Sequence, residues 1–220
     1  MNPVFEMVVS NKMEQYRRAT WDTKEPETIK WIDSFKKTDC FIDVGANIGI
    51  YTLYAASQYP KMLIYAFEPM KANYDRLCDN IVLNKFANVI AFQRAVGVKD
   101  GFSGFCGEGE AGTSGGQLGI GEKTQVVSVD TIISATSLRN VNLKIDIDGL
   151  ELDVIKGALN SFSYIKSILI EVSKASKKEV GNILIDAGFS VDNEFNKMSP
   201  HSRERREKAN IDAENIVFTR

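Results

Sequence analysis

Residues 40–56 read CFIDVGANIGIYTLYAA, in which an acid precedes a short glycine-containing turn and then an apolar helical pattern. Gly45 allows a tight turn from a predicted strand into a predicted helix, and it lets a ligand approach the backbone. The free N–H groups at the start of that helix favour an anionic group such as a carboxylate or a phosphate. Asp43, two residues before Gly45, suits an ammonium group. The turn is therefore predicted to bind a ligand that carries both charges.

The spacing of the glycines distinguishes two classes of ligand. A dinucleotide site prefers the pattern G-x-G-x-x-G, whereas this chain has Gly45, Asn47 and Gly49. S-adenosylmethionine combines an amino-acid tail with an adenosine, whose ribose is expected to bind a carboxylate at the end of the next strand. Glu68, in the segment YAFEP, stands there, 25 residues after Asp43. The alternatives are that Asp43 only caps the loop and that Glu68 is an exposed acid.

The elements that must position these residues alternate along the chain. Strands are predicted at 40–44, 63–68, 89–93, 141–147 and 167–172. Helical patterns are found at 49–58, 70–84, 150–160 and 174–187. Alternating strands and helices predict an α/β fold in which a mostly parallel sheet is covered by helices on both faces. We expect a single domain that spans residues 1–220.

The remaining segments are less regular. Residues 1–37 are predicted to form N-terminal helices, and 126–133 is predicted to be a strand that returns to the sheet. Ten of the sixteen glycines lie in 97–121 and oppose regular structure. The segment 97–124 is therefore interpreted either as a mobile surface loop or as a loop that covers a ligand site. The last two strands are predicted at 189–195 and 214–220.

Composition excludes several classes of protein. The formal net charge of −2 argues against a dedicated nucleic-acid binder. No stretch approaches the roughly 20 apolar residues of a membrane helix, and no signal-peptide core is present. The three cysteines, Cys40, Cys78 and Cys106, lack metal-ligand spacing and fit a reducing compartment. We therefore expect a cytoplasmic protein without stable membrane insertion; a homodimer is possible.

Six segments resemble, in sequence and in order, those of FkbM-type methyltransferases: FIDVGANIGIYTLYAA, YAFEP, NYDRLCDNIVLN, VVSVDTI, LKIDIDGLELDVIKGA and ILIEV. The resemblance covers roughly residues 25–175. It implies a class I, Rossmann-like fold with a seven-stranded sheet whose last strand is antiparallel. It also implies that S-adenosylmethionine donates the methyl group, most often to an oxygen of a sugar or another small polyhydroxy metabolite. The expected partner is thus a small-molecule or glycan acceptor.

The resemblance also implies a set of binding residues. They are Asp43, Gly45, Ala46, Asn47, Gly49, Thr52, Glu68, Pro69, Arg94, Ala95 and Asp146. Within this set, the turn after Asp43 would hold the methionine end, Glu68 the ribose, and Arg94 and Ala95 the adenine. Asp146 would point toward the transferred methyl group. The segment Pro26–Thr28 resembles a family segment that closes over the cofactor.

Three acids are candidates for the catalytic base. Asp146, Asp148 and Glu171 are expected at the carboxyl ends of adjacent central strands, where open α/β sheets bind ligands. Carboxylates that lie close together raise the pKa of one of them, which suits proton abstraction near neutral pH. The same acids could instead bind a divalent ion that lowers the pKa of the acceptor hydroxyl, although no dedicated metal motif is present. Asp148 could also serve only as the N-cap of a helix over 150–158.

Two departures from the family pattern bear on catalysis. The chain has KIDIDG where the family usually has KIDVEG, and no histidine follows Glu171 closely. His201, the only histidine, lies in a polar segment and is interpreted as a surface residue. Lys144, within a predicted strand, is expected to snorkel or to form an ion pair with a nearby acid.

Other functions remain open from the sequence. The transferred methyl group could go to nitrogen or carbon instead of oxygen. The fold could bind the cofactor without catalysis and act as a partner protein. A nucleotide-binding oxidoreductase is a further possibility, and binding of S-adenosylmethionine rather than NAD distinguishes these cases.

Overall fold

The computed structural model describes residues 4–107, 109–114, 116–197, 204 and 213–220. In chain order, the strands are β1 (Cys40–Val44), β2 (Ile64–Phe67), β3 (Val89–Phe92), β4 (Ala95–Val96), β5 (Gly101–Cys106), β6 (Gln117–Leu118), β7 (Glu122–Val127), β8 (Val141–Ile145), β9 (Ile165–Ser173), β10 (Ser190–Val191) and β11 (Ala213–Thr219). The helices are α1 (Lys12–Ala19), α2 (Pro26–Asp33), α3 (Ile50–Gln58), α4 (Lys71–Leu83), α5 (Val129–Thr136), α6 (Glu151–Lys156), α7 (Lys174–Asp186) and α8 (Asn193–Lys197). No helix among these segments combines the length and apolar character needed to cross a membrane.

Seven strands form the main sheet, in the order β10-β11-β9-β8-β1-β2-β3. The pairs from β9 to β3 are parallel, whereas β11 is antiparallel to both of its neighbours. The prediction of a mostly parallel seven-stranded sheet with an antiparallel last strand is confirmed. The carboxyl ends of β1, β2 and β8 consequently meet at one edge of the sheet, where ligands bind in this fold class.

Alternation along the central strands decides which side chains face which layer of helices. Ile42 and Val44 point into an apolar cluster that also contains residues of α5, α6 and α7. Phe41 points into the opposite cluster, together with Leu53 of α3 and Trp31 of α2. Because the side-chain period of a strand is two, Asp43 lies on the same face as Phe41, toward α3.

The N-terminal helices cover this α3 face of the sheet. Helix α1 begins with a capping box, in which the Asn11 side chain accepts from the Glu14 N–H at 2.8 Å and the Glu14 carboxylate accepts from the Asn11 N–H at 3.2 Å. Helix α2 begins at Pro26, a position where the missing N–H is not needed. Trp21, between the two helices, is buried in the same apolar cluster. The N-terminal segment is thereby fixed beside the turn after β1.

Three predictions about secondary structure are wrong. The glycine-rich segment within 97–124 is not a structureless loop, because β5, β6 and β7 pair with β4 in a second sheet of order β4-β7-β5-β6. The strand predicted at 126–133 ends at Val127, since Ser128 caps α5 by accepting from the Thr131 N–H at 3.2 Å. The strand predicted at 189–195 is reduced to β10, and α8 follows it.

Candidate active site

The turn between β1 and α3 requires glycine for two separate reasons. Gly45 has a φ of +79°, and a Cβ there would lie 2.1 Å from the carbonyl oxygen of Asp146. Gly49 has a φ of +95° and is the N-cap of α3, which has no side-chain cap. Any other residue at position 45 would therefore push the turn away from the end of β8. The close approach brings the turn after β1 and the Asp146 carboxylate to the same place.

A buried charge network lies directly beneath this turn. Asp43 is fully buried and accepts a 2.7 Å hydrogen bond from the Thr52 hydroxyl of α3. The ammonium of Lys144, on the neighbouring strand β8, lies 3.6 Å from Asp43 and donates a 2.8 Å hydrogen bond to Asp146. Asp43 and Lys144 are register partners across β1 and β8, which explains why they meet. Lys144 thus forms the ion pair that was one of its two predicted roles.

This network shifts the pKa values of its members in opposite directions. Burial raises the pKa of Asp43 and outweighs the opposing effects of Lys144 and Thr52. Burial also acts to raise the pKa of Asp146, but Lys144, Lys24 and a hydrogen bond with Glu171 lower it overall. Asp146 is therefore not the one carboxylate whose pKa was expected to rise, and it stays ionised at neutral pH. Its carboxylate is suited to stabilise a cation rather than to accept a proton.

Glu68 directly follows β2, and two backbone N–H groups donate hydrogen bonds to its carboxylate. Its carboxylate accepts from the Asn47 N–H at 2.8 Å and from the Met70 N–H at 2.9 Å. Burial raises its pKa to about 7, although these two hydrogen bonds favour the charged form. Glu68 therefore connects the turn after β1 to the start of α4, and it is not the exposed strand-end acid of the alternative interpretation.

One cavity brings together most of the predicted site residues. Its volume is about 90 Å³, and its lining includes Gly45, Asn47, Glu68, Pro69, Arg94, Ala95, Asp146 and Asp148. Ala46 lines a second cleft on the other side of the turn. Asp43, Gly49, Thr52 and Glu171 line neither space. Asp43 and Thr52 instead support the turn from below, and Glu171 contacts Asp146.

The structure also bears on Asp148, His201 and the alternative of a bound metal ion. Asp148 is exposed on the cavity, and it is not the helix cap that was the alternative, because the N-cap of α6 is Leu150 without a side-chain cap. His201 lies outside the described residues. Within the part of the chain that the structure describes, no group of three or more acids, histidines or cysteines has a geometry that could hold a metal ion.

The sequence predicted Asn47 as a site residue but did not identify Asn73 or the segment around Thr113, which also line or close the cavity. The Thr113 carbonyl accepts hydrogen bonds from Asn47 at 2.7 Å and from Asn73 at 3.1 Å, and Asn73 also accepts from the Gly112 N–H at 2.8 Å. Helix α1 holds the same segment, since Arg17 donates to the Gly112 carbonyl. We name residues 109–114 the flap. Asn73 is the first asparagine of the NYDRLCDN segment, but only the fold shows that it meets the flap.

Comparison with known proteins identifies the family. The sequence matches the methyltransferase FkbM domain over residues 43–201. The chain belongs to this family of methyltransferases. The FkbM match spans the turn after β1, Glu68, and the acids at the ends of β8 and β9.

Two relatives are similar in sequence to this chain over two thirds or more of their own length. "Methyltransferase 1" of Beauveria bassiana is 27% identical over 185 residues, which cover 71% of this chain and 74% of the relative. "Hexuronic acid methyltransferase AglP" of Haloferax volcanii is 25% identical over 170 residues, which cover 73% of this chain and 67% of the relative.

Solved structures show the same fold. The FkbM methyltransferase of Methylobacillus flagellatus KT superimposes with a TM-score of 0.60 at 14% identity, and the match covers 94% of this chain but 52% of that longer one. The magnesium protoporphyrin IX methyltransferase of Synechocystis PCC 6803, solved with bound S-adenosylmethionine, gives a TM-score of 0.51 at 10% identity, covering 99% and 88% of the two chains. The class I methyltransferase fold is confirmed.

Proposed function

We propose that this chain transfers a methyl group from S-adenosylmethionine to a hydroxyl oxygen of a sugar or another small polyhydroxy metabolite. The observation that carries the proposal is the convergence of the Gly45 turn, Glu68 and Asp146 on one cavity, although they follow three different strands. A structural relative is known with this cofactor bound. The name of the AglP relative specifies a sugar acid, which supports a sugar as the acceptor.

The residues around the cavity fit the two ends of this cofactor. Oδ1 of Asp43 is buried without a hydrogen bond, 3.6 Å from Lys144, and the α3 N-terminus has no side-chain cap. The turn would thus hold the amino-acid tail, with N–H groups for its carboxylate. Glu68, with Pro69 beside it, would accept from the ribose hydroxyls, and Arg94 and Ala95 would flank the adenine.

The chain's own carboxylates would then have different roles in the reaction. When bound, the cofactor supplies an electrophilic methyl group on a sulfonium. Asp146, kept ionised by Lys144, would stabilise the positive charge nearby. Asp148 would take the proton from the acceptor hydroxyl, a contribution of roughly 10²–10⁴-fold for a well-placed base. Alignment of the reactants would contribute more, up to about 7–11 kcal/mol.

Thermal unfolding with added ligand tests cofactor binding. S-adenosylhomocysteine should raise the melting temperature by several degrees at about 100 times its Kd, where binding adds about 2.7 kcal/mol to the free energy of unfolding. NAD at the same concentration should not raise it. Glu68→Ala should abolish the shift, and an equal shift in the variant would contradict the assignment of the ribose site.

Transfer of a radiolabelled methyl group to a panel of sugars and polyols tests the reaction. We expect Asp148→Asn to lower kcat by roughly 10²–10⁴-fold while the affinity for S-adenosylhomocysteine stays unchanged. Full turnover in this variant would show that another group is the base. Asp153→Asn, on the adjacent helix α6, is a matched control with the same change of charge.

A further inference from the structure

Glu151 is a buried acid close to the proposed base, and none of the steps described above uses it. It lies in the first turn of α6, three residues after Asp148, and its exposed fraction is 3%. Asp153, the other acid of that turn, is half-buried. An acid in a first helical turn already interacts favourably with the helix dipole when it lies at the surface. Because burial of a carboxylate is costly, the burial of Glu151 requires a further reason.

One oxygen of Glu151 holds the turn that follows Asp148. Its Oε1 accepts a 2.9 Å hydrogen bond from the Gly149 N–H, two residues earlier in the chain. Gly149 has a φ of +83°, and a Cβ there would meet no atom within 4 Å, so the backbone conformation rather than the available space favours glycine. The Gly149 N–H belongs to the planar peptide unit that begins at the Asp148 carbonyl. The hydrogen bond therefore restricts the ψ angle of Asp148.

The Asp148 side chain depends on this stretch of backbone, because it is exposed on the main cavity. Among the described residues, no hydrogen bond or ion pair holds the Asp148 carboxylate. Its position is thus set by the main chain of residues 148–149. A base must lie within hydrogen-bond reach of the proton that it takes, and a displacement of about 1 Å can lower a rate by roughly 10²-fold. A residue that fixes this turn can therefore affect the reaction without contacting the reactants.

The second oxygen of Glu151 has no hydrogen-bond partner. Its Oε2 is buried, and it accepts no hydrogen bond from the described residues. Burial raises the pKa of Glu151 above its usual value, although hydrogen bonds from the N–H groups of Glu151 and Gly149 oppose this increase. The nearby carboxylates of Asp148 and Asp146 add to the increase. A buried acid with one unsatisfied oxygen is unfavourable for stability, and native proteins retain such groups mainly at functional sites.

We propose that Glu151 is a positioning residue, which holds the turn at residues 148–149 so that the Asp148 carboxylate faces the acceptor hydroxyl. This inference rests on the proposed function, in which Asp148 is the base. Glu151 lines neither the main cavity nor the second cleft, so it acts through Asp148 and not on the reactants. The alternative is that Glu151 only stabilises the start of α6.

Amide hydrogen exchange at Gly149, measured by NMR, tests the hydrogen bond without any turnover. Glu151→Gln should keep the wild-type rate, because its amide oxygen can still accept from the Gly149 N–H. Glu151→Asp keeps the charge but is one methylene shorter. We expect it to raise the exchange rate by about tenfold, as expected for the loss of a hydrogen bond to a charged group. An unchanged rate in Glu151→Asp would overturn the proposal.

Methyl transfer separates positioning from a purely structural role. In Glu151→Ala and Glu151→Asp, kcat should fall by roughly 10–10²-fold while the affinity for S-adenosylhomocysteine stays unchanged, and Glu151→Gln should keep most of kcat. Asp153→Ala is the matched control, since it removes the other acid of the same turn and should leave kcat near the wild-type value. An unchanged kcat in Glu151→Asp, an equal loss of affinity for S-adenosylhomocysteine, or a Glu151→Gln variant as slow as Glu151→Asp would each refute the positioning role.

A double-mutant cycle shows whether Glu151 acts through Asp148. If it does, adding Glu151→Asp to Asp148→Asn should lower kcat no further, because the base is already lost. Two losses that multiply would refute the inference. Full turnover in Asp148→Asn alone would refute the proposed base, and this inference with it. If the wild-type protein did not bind S-adenosylhomocysteine, the proposed function itself would fail, and this outcome is separate from the exchange rate at Gly149.

Discussion

The Lys144 ammonium donates a 2.8 Å hydrogen bond to Asp146, two residues later in the chain. Lys144 is fully buried at the end of β8, whereas the Asp146 side chain keeps about a third of its surface exposed toward the cavities. Because the same ammonium also lies 3.6 Å from Asp43, one cation connects the acid before the glycine turn with the acid beside the candidate reaction centre.

Removal of this cation should destabilise the fold strongly. We expect Lys144→Met to lower the free energy of unfolding by about 3–5 kcal/mol, because it leaves Asp43 buried without its charged partner. Urea denaturation measures the change. Lys71→Met is the matched control, since its ion pair with Asp75 is exposed and should contribute less than about 1 kcal/mol. A loss in Lys144→Met no larger than in this control would contradict the importance of the network.

The glycine turn should tolerate no side chain at its first position. In Gly45→Ala, the new Cβ would collide with the Asp146 carbonyl, so the turn and the end of β8 must separate. We expect the variant to lose the thermal shift with S-adenosylhomocysteine. Gly181→Ala is the control, because a Cβ in that part of α7 meets open space and should stabilise the helix by about 0.5–1 kcal/mol. An unchanged thermal shift in Gly45→Ala would show that the close approach is not required.

The raised pKa of Glu68 predicts a dependence of stability on pH. The folded-state pKa of about 7 lies above the usual value of 4.5, so the folded protein binds more protons between these values than the unfolded chain does. The free energy of unfolding contributed by Glu68 should therefore decrease as pH rises from about 4.5 to above 7. Subtraction of the Glu68→Gln curve from the wild-type curve isolates this contribution. A flat difference would indicate an ordinary pKa.

Asn73 should control how often the flap opens. Asn73→Ala removes two hydrogen bonds to the backbone of Gly112 and Thr113, each contributing about 1 kcal/mol. Amide hydrogen exchange in 109–114 should accelerate by about 5–30-fold. Asn84→Ala is the control, because the Asn84 side chain bonds the Glu6 backbone instead. Equal exchange rates in wild type and Asn73→Ala would exclude this role.

Local patterns were sufficient to predict the elements that hold the cofactor end of the site. The apolar run before Asp43 and the glycine at position 45 each have a short-range physical cause; the run forms β1, and Gly45, which follows that strand, lines the cavity. The glycine-rich segment could not be predicted in this way, since pairing of β5 with β7 overrides the weak strand preference of glycine. Likewise, the contact of Arg17 with Gly112 joins residues 95 positions apart, and no local signal indicates it.

The position of β11 between β9 and β10 has a consequence for how the chain folds during synthesis. Residues 213–219 are made after the other ten strands that the structure describes, yet they occupy an internal place in the sheet, with Val217 fully buried. Until those residues leave the ribosome, β9 has an unpaired edge and β10 has no neighbour to pair with. Between the synthesis of β9 and the emergence of residues 213–219, the nascent polypeptide thus exposes an aggregation-prone sheet edge, which makes this interval a point of need for chaperones.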